Sequence, residues 1–321
     1  MLKKRSNSDD LKQVFWKEVQ KTNWRNVNNE ALKSFLIVII GDAQSLENLI
    51  TSLETTTYDF FNVKHQRTIP LSDDAKSSLI MVPFERQHEY RTIIDQADIF
   101  IVDQQYAAEL KLKLDKAFFY SQSGEKTVFE KILNENDHLK HALCYNYPVF
   151  RTTVARSTMG AVSLQNATWA GGSSLPNIIP GAHSIPYAAL EATSDFSVLT
   201  INELRMTFIL ASVSGRKVNP VKLIPEIIIM LGGAKGAQML ATQVVSKVPA
   251  GAGTIVKTGI AYAFTYAIGE AVYLNMNYGI THDKKTLIKR IEELRGYGEE
   301  MTKSIANSMK RINSSKREKE E

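Results

Sequence analysis

Phe35-Leu36-Ile37-Val38-Ile39-Ile40-Gly41 decides the class of the first half of the chain. An apolar run without alternation, rich in β-branched residues and closed by glycine, is what a strand buried on both faces of a parallel sheet requires. Leu46, Leu49, Ile50 and Leu53 then recur at helical spacing, so strand, glycine turn and helix follow one another. That succession is the setting of a phosphate-binding loop, in which backbone N–H groups at a helix N-terminus hold an anion. Laid against G-x-x-x-x-G-K-[ST], Gly41 takes the first glycine, but Leu46, Glu47 and Asn48 stand where glycine, lysine and a hydroxyl residue belong. Lysine neutralises the phosphates and the hydroxyl holds Mg²⁺, whereas a glutamate repels both phosphates. What remains for a phosphate to touch is Gly41, Asp42, Ser45 and Asn48. The expected cofactor is therefore none, with GTP and Mg²⁺ the implied pair if this altered loop still works.

Further along, Ala97-Asp98-Ile99-Phe100-Ile101-Val102-Asp103 resembles the "AD-h-h-h-VD" strand of small GTPases. The rest of that signature is absent. Pro83-Phe84-Glu85-Arg86 follows the strand expected over Ser78–Phe84, where D-x-x-G should lie, and the nearest approach to N-K-x-D is Asn134-Glu135-Asn136-Asp137, without the lysine. His141 to Tyr145 reads as a further strand. The expected fold of residues 35–150 is thus α/β, a degenerate P-loop GTPase-like parallel sheet; an unrelated three-layer α/β domain is the alternative. Before it, residues 1–34 form an N-terminal amphipathic helical segment, with Leu11, Val14, Phe15, Val19 and Trp24 on one side.

The second half changes character. Ser194-Asp195 before an apolar run reads as a helix start, since either side chain can cap orphan N–H groups, Thr200 repeats the signal ahead of Leu204, Phe208 and Ala211, and the helix should stop near Gly215. Ile224 to Leu231 suggests another helix, loosened at Gly232-Gly233, and Thr254 to Leu274 a last apolar one ending near Gly279. In it Ile255, Gly259, Ala263, Ala267 and Ala271 form a small-residue stripe that lets another helix backbone approach closely. About 20 residues suffice to cross a bilayer, but Lys257 and Glu270 would each cost roughly 2.5–3.5 kcal/mol at its centre. A spanning helix and a buried bundle helix are both open on this reading. The segment Met159–Ala192 is apolar yet interrupted at Gly171-Gly172-Ser173-Ser174-Leu175-Pro176 and Pro180-Gly181, the pattern of a re-entrant hairpin or a tightly looped core.

Ser194-Asp195-Phe196-Ser197-Val198-Leu199-Thr200-Ile201-Asn202 resembles the "SD-x-x-x-LT-x-N" segment of the bacterial YcjF-like domain of unknown function. Gly215, Pro225-Glu226, Gly232-Gly233, Pro249-Ala250-Gly251, Lys257-Thr258-Gly259-Ile260-Ala261-Tyr262, Thr265 and Gly269 continue the likeness, which begins near Tyr147-Pro148-Val149-Phe150-Arg151. The resemblance implies a helical, membrane-associated domain over residues 151–280, often found behind a GTP-binding domain, without assigned catalytic residues. Membrane lipid or a membrane protein is then the implied partner, on the cytoplasmic side, held peripherally or integrally; the small-residue stripe adds a possible homo-oligomer. Residues 281–321 complete the chain as a helix, broken at Gly296-Tyr297-Gly298, and a charged tail. Met301, Ile305, Met309 and Ile312 offer a narrow stripe for coiled-coil pairing.

Composition narrows the function classes. The 321 residues are 44% hydrophobic and 23% charged, globular values that allow two domains with real cores. A net charge of +5 with dispersed lysines does not mark a nucleic-acid binder. One cysteine, Cys144, rules out an intrachain disulfide framework and suits a reducing compartment; no signal peptide is expected at Met1-Leu2-Lys3-Lys4-Arg5. Gly251 to Thr258 mimics a P-loop, but Val256 replaces its second glycine and no strand precedes it. His138 and His141 share a helix face without a third metal ligand, and Asp98 and Asp103 flank a strand as candidate acids. The expected function is a non-catalytic, membrane-associated adaptor with a pseudo-GTPase domain. The alternatives are a GTPase with a non-standard loop and an oligomeric pore-forming helical domain.

Overall fold

The computed structural model describes residues 16, 19–20, 22–109, 117–170, 195–227, 229 and 253–317. Two units divide the chain: Arg25–Ala155 together with Ala211–Val218, and Met1–Trp24 with Arg156–Leu210 and Asn219–Glu321.

In the first unit four parallel strands, β1 (Ile37–Gly41), β4 (Leu79–Pro83), β5 (Ile99–Asp103) and β6 (Ala117–Tyr120), lie in the order β4-β1-β5-β6. The apolar run forms β1, which is central and buried along its whole length. Ile37 faces Leu79 on one side and Ile99 on the other, so one sheet face is laid with Ile37, Ile39, Ile99 and Ile101, all at most 2% exposed. Val38, Ile40, Phe100 and Val102, with Val82 of β4, build the opposite face, and Ile94 packs on it. Burial on both faces is why these strands read as unbroken apolar stretches. Behind the sheet, the Tyr147 hydroxyl donates to the Ala75 carbonyl at 2.9 Å and lies 2.9 Å from the Ser78 hydroxyl. Asn28, on helix α1 (Trp24–Ala31), exchanges two hydrogen bonds with the backbone of Val218, Nδ2 to O at 2.9 Å and N to Oδ1 at 2.8 Å. That pair secures residues 211–218 to the unit that starts nearly two hundred positions earlier.

Helix α2 (Ala43–Glu54) follows β1, and β2 (Thr55–Phe60) and β3 (Val63–Thr68) form a separate antiparallel hairpin. Its two-residue turn, Phe61-Asn62, has φ of 50° and 61°, the left-handed pair of a type I′ turn. The strand expected over His141–Tyr145 is instead helix α6 (Lys140–Asn146), a short apolar run being equally consistent with either state. The strand that completes the sheet is Ala117–Tyr120. Helices α3 (Asp73–Ser77), α4 (Arg91–Asp95) and α5 (Glu125–Glu135) fill the connections.

The second unit is helical. Helices α7 (Arg151–Ala170) and α8 (Asp195–Val213) enter it, and α9 (Gly253–Tyr278) and α10 (Lys284–Arg317) lie wholly within it. A Cβ on Gly269 of α9 would come within 2.7 Å of Met159 on α7 and 3.1 Å of Met206 on α8, so three helices meet there at a distance only glycine allows. A polar layer crosses the same helices: Asn202 Nδ2 donates to Asn166 Oδ1 at 2.8 Å, and Asn166 Nδ2 to Thr265 Oγ1 at 3.0 Å. From the first layer to the second the chain ascends on α7 and descends on α8 and α9, so α7 runs opposite to the other two.

Gly279, at φ +70°, ends α9 by turning its N–H back to the Asn275 carbonyl at 3.0 Å. Asp283 then caps α10 through the Thr286 N–H at 2.8 Å. So short a connection returns α10 antiparallel along α9. The break expected at Gly296-Tyr297-Gly298 does not occur: α10 is continuous. Its glycine serves proximity, because a Cβ on Gly298 would lie 2.8 Å from the Gly259 carbonyl, and one on Gly259 2.5 Å from Glu299. Gly259 of the small-residue stripe thus meets a helix of its own chain. Farther along the pair, Glu270, 1% exposed, receives Arg290 Nε at 2.6 Å and Nη2 at 2.8 Å. Among the described residues no helix is long and apolar enough to cross a membrane. The interrupted stretch 171–194, the glycine pair 232–233 and the P-loop mimic up to Ala252 lie outside the described residues.

Candidate functional site at the carboxyl ends of β1 and β5

Leaving β1 the chain connects outward to β4, then crosses back to β5 on the other side. In open α/β sheets this reversal leaves a crevice beyond the carboxyl ends of the two central strands, the usual place for a ligand. Here the crevice lies between the ends of β1 and β5.

One residue, Asp42, separates β1 from α2. It is extended, at φ −79° and ψ 173°, and its Oδ1 accepts the Ser45 N–H at 2.7 Å as helix cap. Its other oxygen, Oδ2, accepts Gln105 Nε2 at 2.7 Å and the Tyr106 hydroxyl at 3.2 Å. Asp103, at the end of β5, takes the Gln105 N–H on Oδ1 at 2.9 Å and Gln105 Nε2 on Oδ2 at 3.3 Å. One amide thus bridges two carboxylates. Tyr106 is stacked on Phe84, with ring centroids 4.1 Å apart and 15° between planes. Gly41 leaves room for this packing: a Cβ there would sit 3.2 Å from Ser45 and 3.6 Å from Asp103. The Asp42 carboxyl is held below its usual range, chiefly by the Ser45 N–H and further by Gln105 and Tyr106. The Tyr106 phenol is raised, first by burial and then by its bond to Asp42.

The structure brings together Gly41, Asp42 and Ser45 of the sequence-derived set, and sets Asn48 apart. Asn48 lies a turn farther along α2, where Gln44 Nε2 donates to its Oδ1 at 3.2 Å. Leu46, at the aligned glycine position, is buried, and Glu47 is exposed on the helix. With β1 ending at Gly41 and α2 starting at Ala43, the long glycine-rich connection of a phosphate loop is not formed. Asp98 does not join Asp103. It sits at the opposite end of β5, where its Oδ2 accepts the Leu36 N–H at 2.8 Å and ties two strand starts together. Asn134–Asp137 finishes α5 and turns, with Asn136 Nδ2 donating to the Ile132 carbonyl at 2.9 Å. The segment after β6, where a base-reading loop would begin, is Ser121-Gln122-Ser123-Gly124.

Gln105, Tyr106 and Phe84 were missed in the sequence. The available signal was position alone, since Gln105 and Tyr106 follow directly on the Val102-Asp103 ending of β5. The histidines offer no metal centre: burial pushes His141 down to about 4, the His138 carbonyl accepts Lys33 Nζ at 3.3 Å, and among the described residues no three ligating side chains converge. Cys144 is buried, its thiol raised by that burial, which keeps it unreactive. No protein-family profile, curated protein or solved structure matches the chain.

Proposed function

We propose that the protein is a non-catalytic adaptor, its α/β unit a GTPase-like scaffold that does not use nucleotide and its helical unit related to the YcjF-like domain. The observation that carries this reading is the Asp42 carboxylate at the N-terminus of α2, 2.7 Å from the Ser45 N–H. A helix N-terminus attracts a phosphate because its first N–H groups are unpaired and its dipole favours negative charge. Here an internal anion already takes that place, and the aligned Glu47 adds charge of the wrong sign. A phosphate entering the crevice would face two carboxylates where a nucleotide site sets a lysine and a metal. The strand order β4-β1-β5-β6 and the Ala97–Asp103 motif support the GTPase-like part of the reading.

The same resemblance supplies the partner: a membrane surface or a membrane protein, engaged from the cytoplasmic side. Titration calorimetry of the full chain with GTP and with ATP, each with and without Mg²⁺, tests the central claim. No heat of binding is expected at millimolar nucleotide, and micromolar binding by either overturns it. Co-sedimentation with vesicles containing anionic lipid tests the membrane partner; protein left in the supernatant at low salt directs the search to protein partners instead.

A further inference from the structure

Among the described residues, the β2–β3 hairpin ends in β3, which pairs with β2 alone and with no strand on its outer side. Because its turn has two residues, the pair beside the turn, Phe60 and Val63, is a hydrogen-bonded one, and so by alternation are Tyr58–His65 and Thr56–Arg67. The N–H and C=O groups of Lys64 and Gln66 therefore point away from β2. Two contacts agree with this phase. The Thr55 and Thr68 hydroxyls meet at 3.4 Å, as side chains of a non-hydrogen-bonded pair do, and the outward carbonyl of Thr57 on β2 accepts the Thr152 hydroxyl. The outer edge of β2 is thus met by the start of α7, while Lys64 and Gln66 of β3 are exposed. The same strand exposes Val63 at 55%. It carries Lys64, His65 and Arg67 and no acidic residue, and the one acidic group of the hairpin, Asp59, sits across from Lys64.

We infer that the outer edge of β3, presented by the main chain of Lys64 and Gln66, is a docking strand for an extended, acidic segment of a partner protein, which adds to the hairpin as a third strand. An open edge supplies main-chain donors and acceptors for such an addition, and alternate side chains supply selectivity. The charge of the edge chooses the occupant. A second copy of this chain would bring two strands of the same sign together, which opposes pairing. A segment with carboxylates facing Lys64 and an apolar residue facing Val63 complements both groups.

This inference starts from the adaptor reading and gives it a partner class and a surface. The probe is an end-capped hexapeptide of alternating glutamate and valine, with its lysine–valine counterpart as control. Binding is followed on the full-length protein by ¹H–¹⁵N correlation spectra and by fluorescence anisotropy of the labelled peptide. The acidic peptide is expected to shift the amides of Lys64 and Gln66 and to bind more tightly than the basic one. Lys64→Glu reverses the charge that the peptide's carboxylates face and should weaken binding severalfold, since a cross-strand pair contributes about 0.2–1 kcal/mol and reversal makes it repulsive. Gln66→Pro removes an outward N–H at an edge position, where proline spares the β2–β3 ladder, and should abolish binding while the spectrum of the sheet residues stays in place. Equal binding of the two peptides, no shift at millimolar acidic peptide, or full binding by Gln66→Pro overturns the inference. So does concentration-dependent self-association that Gln66→Pro abolishes, which would assign the edge to a second copy. Nucleotide binding in the calorimeter would remove the adaptor reading and leave the strand result standing; loss of peptide binding alone would remove this surface and leave the adaptor reading.

Discussion

The α/β unit and the helical unit deal with carboxylates in opposite ways. At the end of β1 the Asp42 carboxylate lies in an open crevice and is held by neutral donors, the Ser45 N–H, Gln105 and Tyr106. In the helical unit Glu270 and Glu203 are taken out of water: Glu270 is locked to Arg290, and Glu203 is 5% exposed, its carboxyl pushed up to about 8 by burial. The first arrangement costs little solvation and contributes little stability. The second accepts a large desolvation cost, so its loss or imbalance is felt throughout the bundle.

The widest gap between the two units should appear on breaking the buried pair. Glu270→Ala leaves Arg290 without its main partner and should cost about 3–5 kcal/mol, measured by urea unfolding followed at the tyrosine signal. A loss under 1 kcal/mol would mean water reaches the pair and the contrast fails. The pH dependence of Glu203 sharpens the point. Because its folded pKa lies above the ordinary carboxylate value, the native state holds the proton longer, so stability is greatest at acidic pH and falls as pH rises from about 4.5 towards about 8. Glu203→Gln should flatten that decline in thermal melts between pH 5 and 9; an unchanged slope would place the titrating group elsewhere. Gly298→Ala forces a methyl against the Gly259 carbonyl and should cost roughly 1–3 kcal/mol by overpacking.

In the crevice the effect should be smaller. Asp42→Ala removes the cap of α2 and is expected to lower the thermal midpoint by less than the substitutions in the helical unit do. Asp42→Asn, which keeps an acceptor, should recover most of it. Phe61→Gly is the smallest and has the opposite sign. It relieves a left-handed φ of 50° at the hairpin turn and should stabilise the protein by about 0.5–1 kcal/mol.

What could be read in the sequence follows the same division. Phe35–Gly41 and Ile99–Asp103 announced themselves because strands buried on both faces must be apolar at every position. The end of Asp195–Val213 was legible from Gly215, at φ +74°, just beyond it. The hairpin was not, since Phe61-Asn62 lacks the glycine that normally marks a type I′ turn. His141–Tyr145 reads as a strand and is helix, while Ala117–Tyr120, which completes the sheet, gave no signal: both are short apolar runs, and which becomes helix depends on packing that no local pattern encodes. Gly296 and Gly298 read as helix breakers because propensity treats glycine alone, whereas Gly298 is used for its missing side chain against Gly259. In the crevice, Gly41, Asp42 and Ser45 were found through the strand–turn–helix pattern. Gln105 and Tyr106 became visible only when the sheet set the end of β5 beside the end of β1.

Asp42 has one more consequence. A ligand that diffuses in occupies its site to an extent set by its concentration, and a protein that depends on it reports that concentration. A carboxylate tethered to the same backbone as the helix it caps is present at a fixed effective concentration that does not follow the level of any solute. The expectation for the adaptor proposed above is that the amide signals of α2 stay in place as phosphate-bearing metabolites are titrated to millimolar concentration.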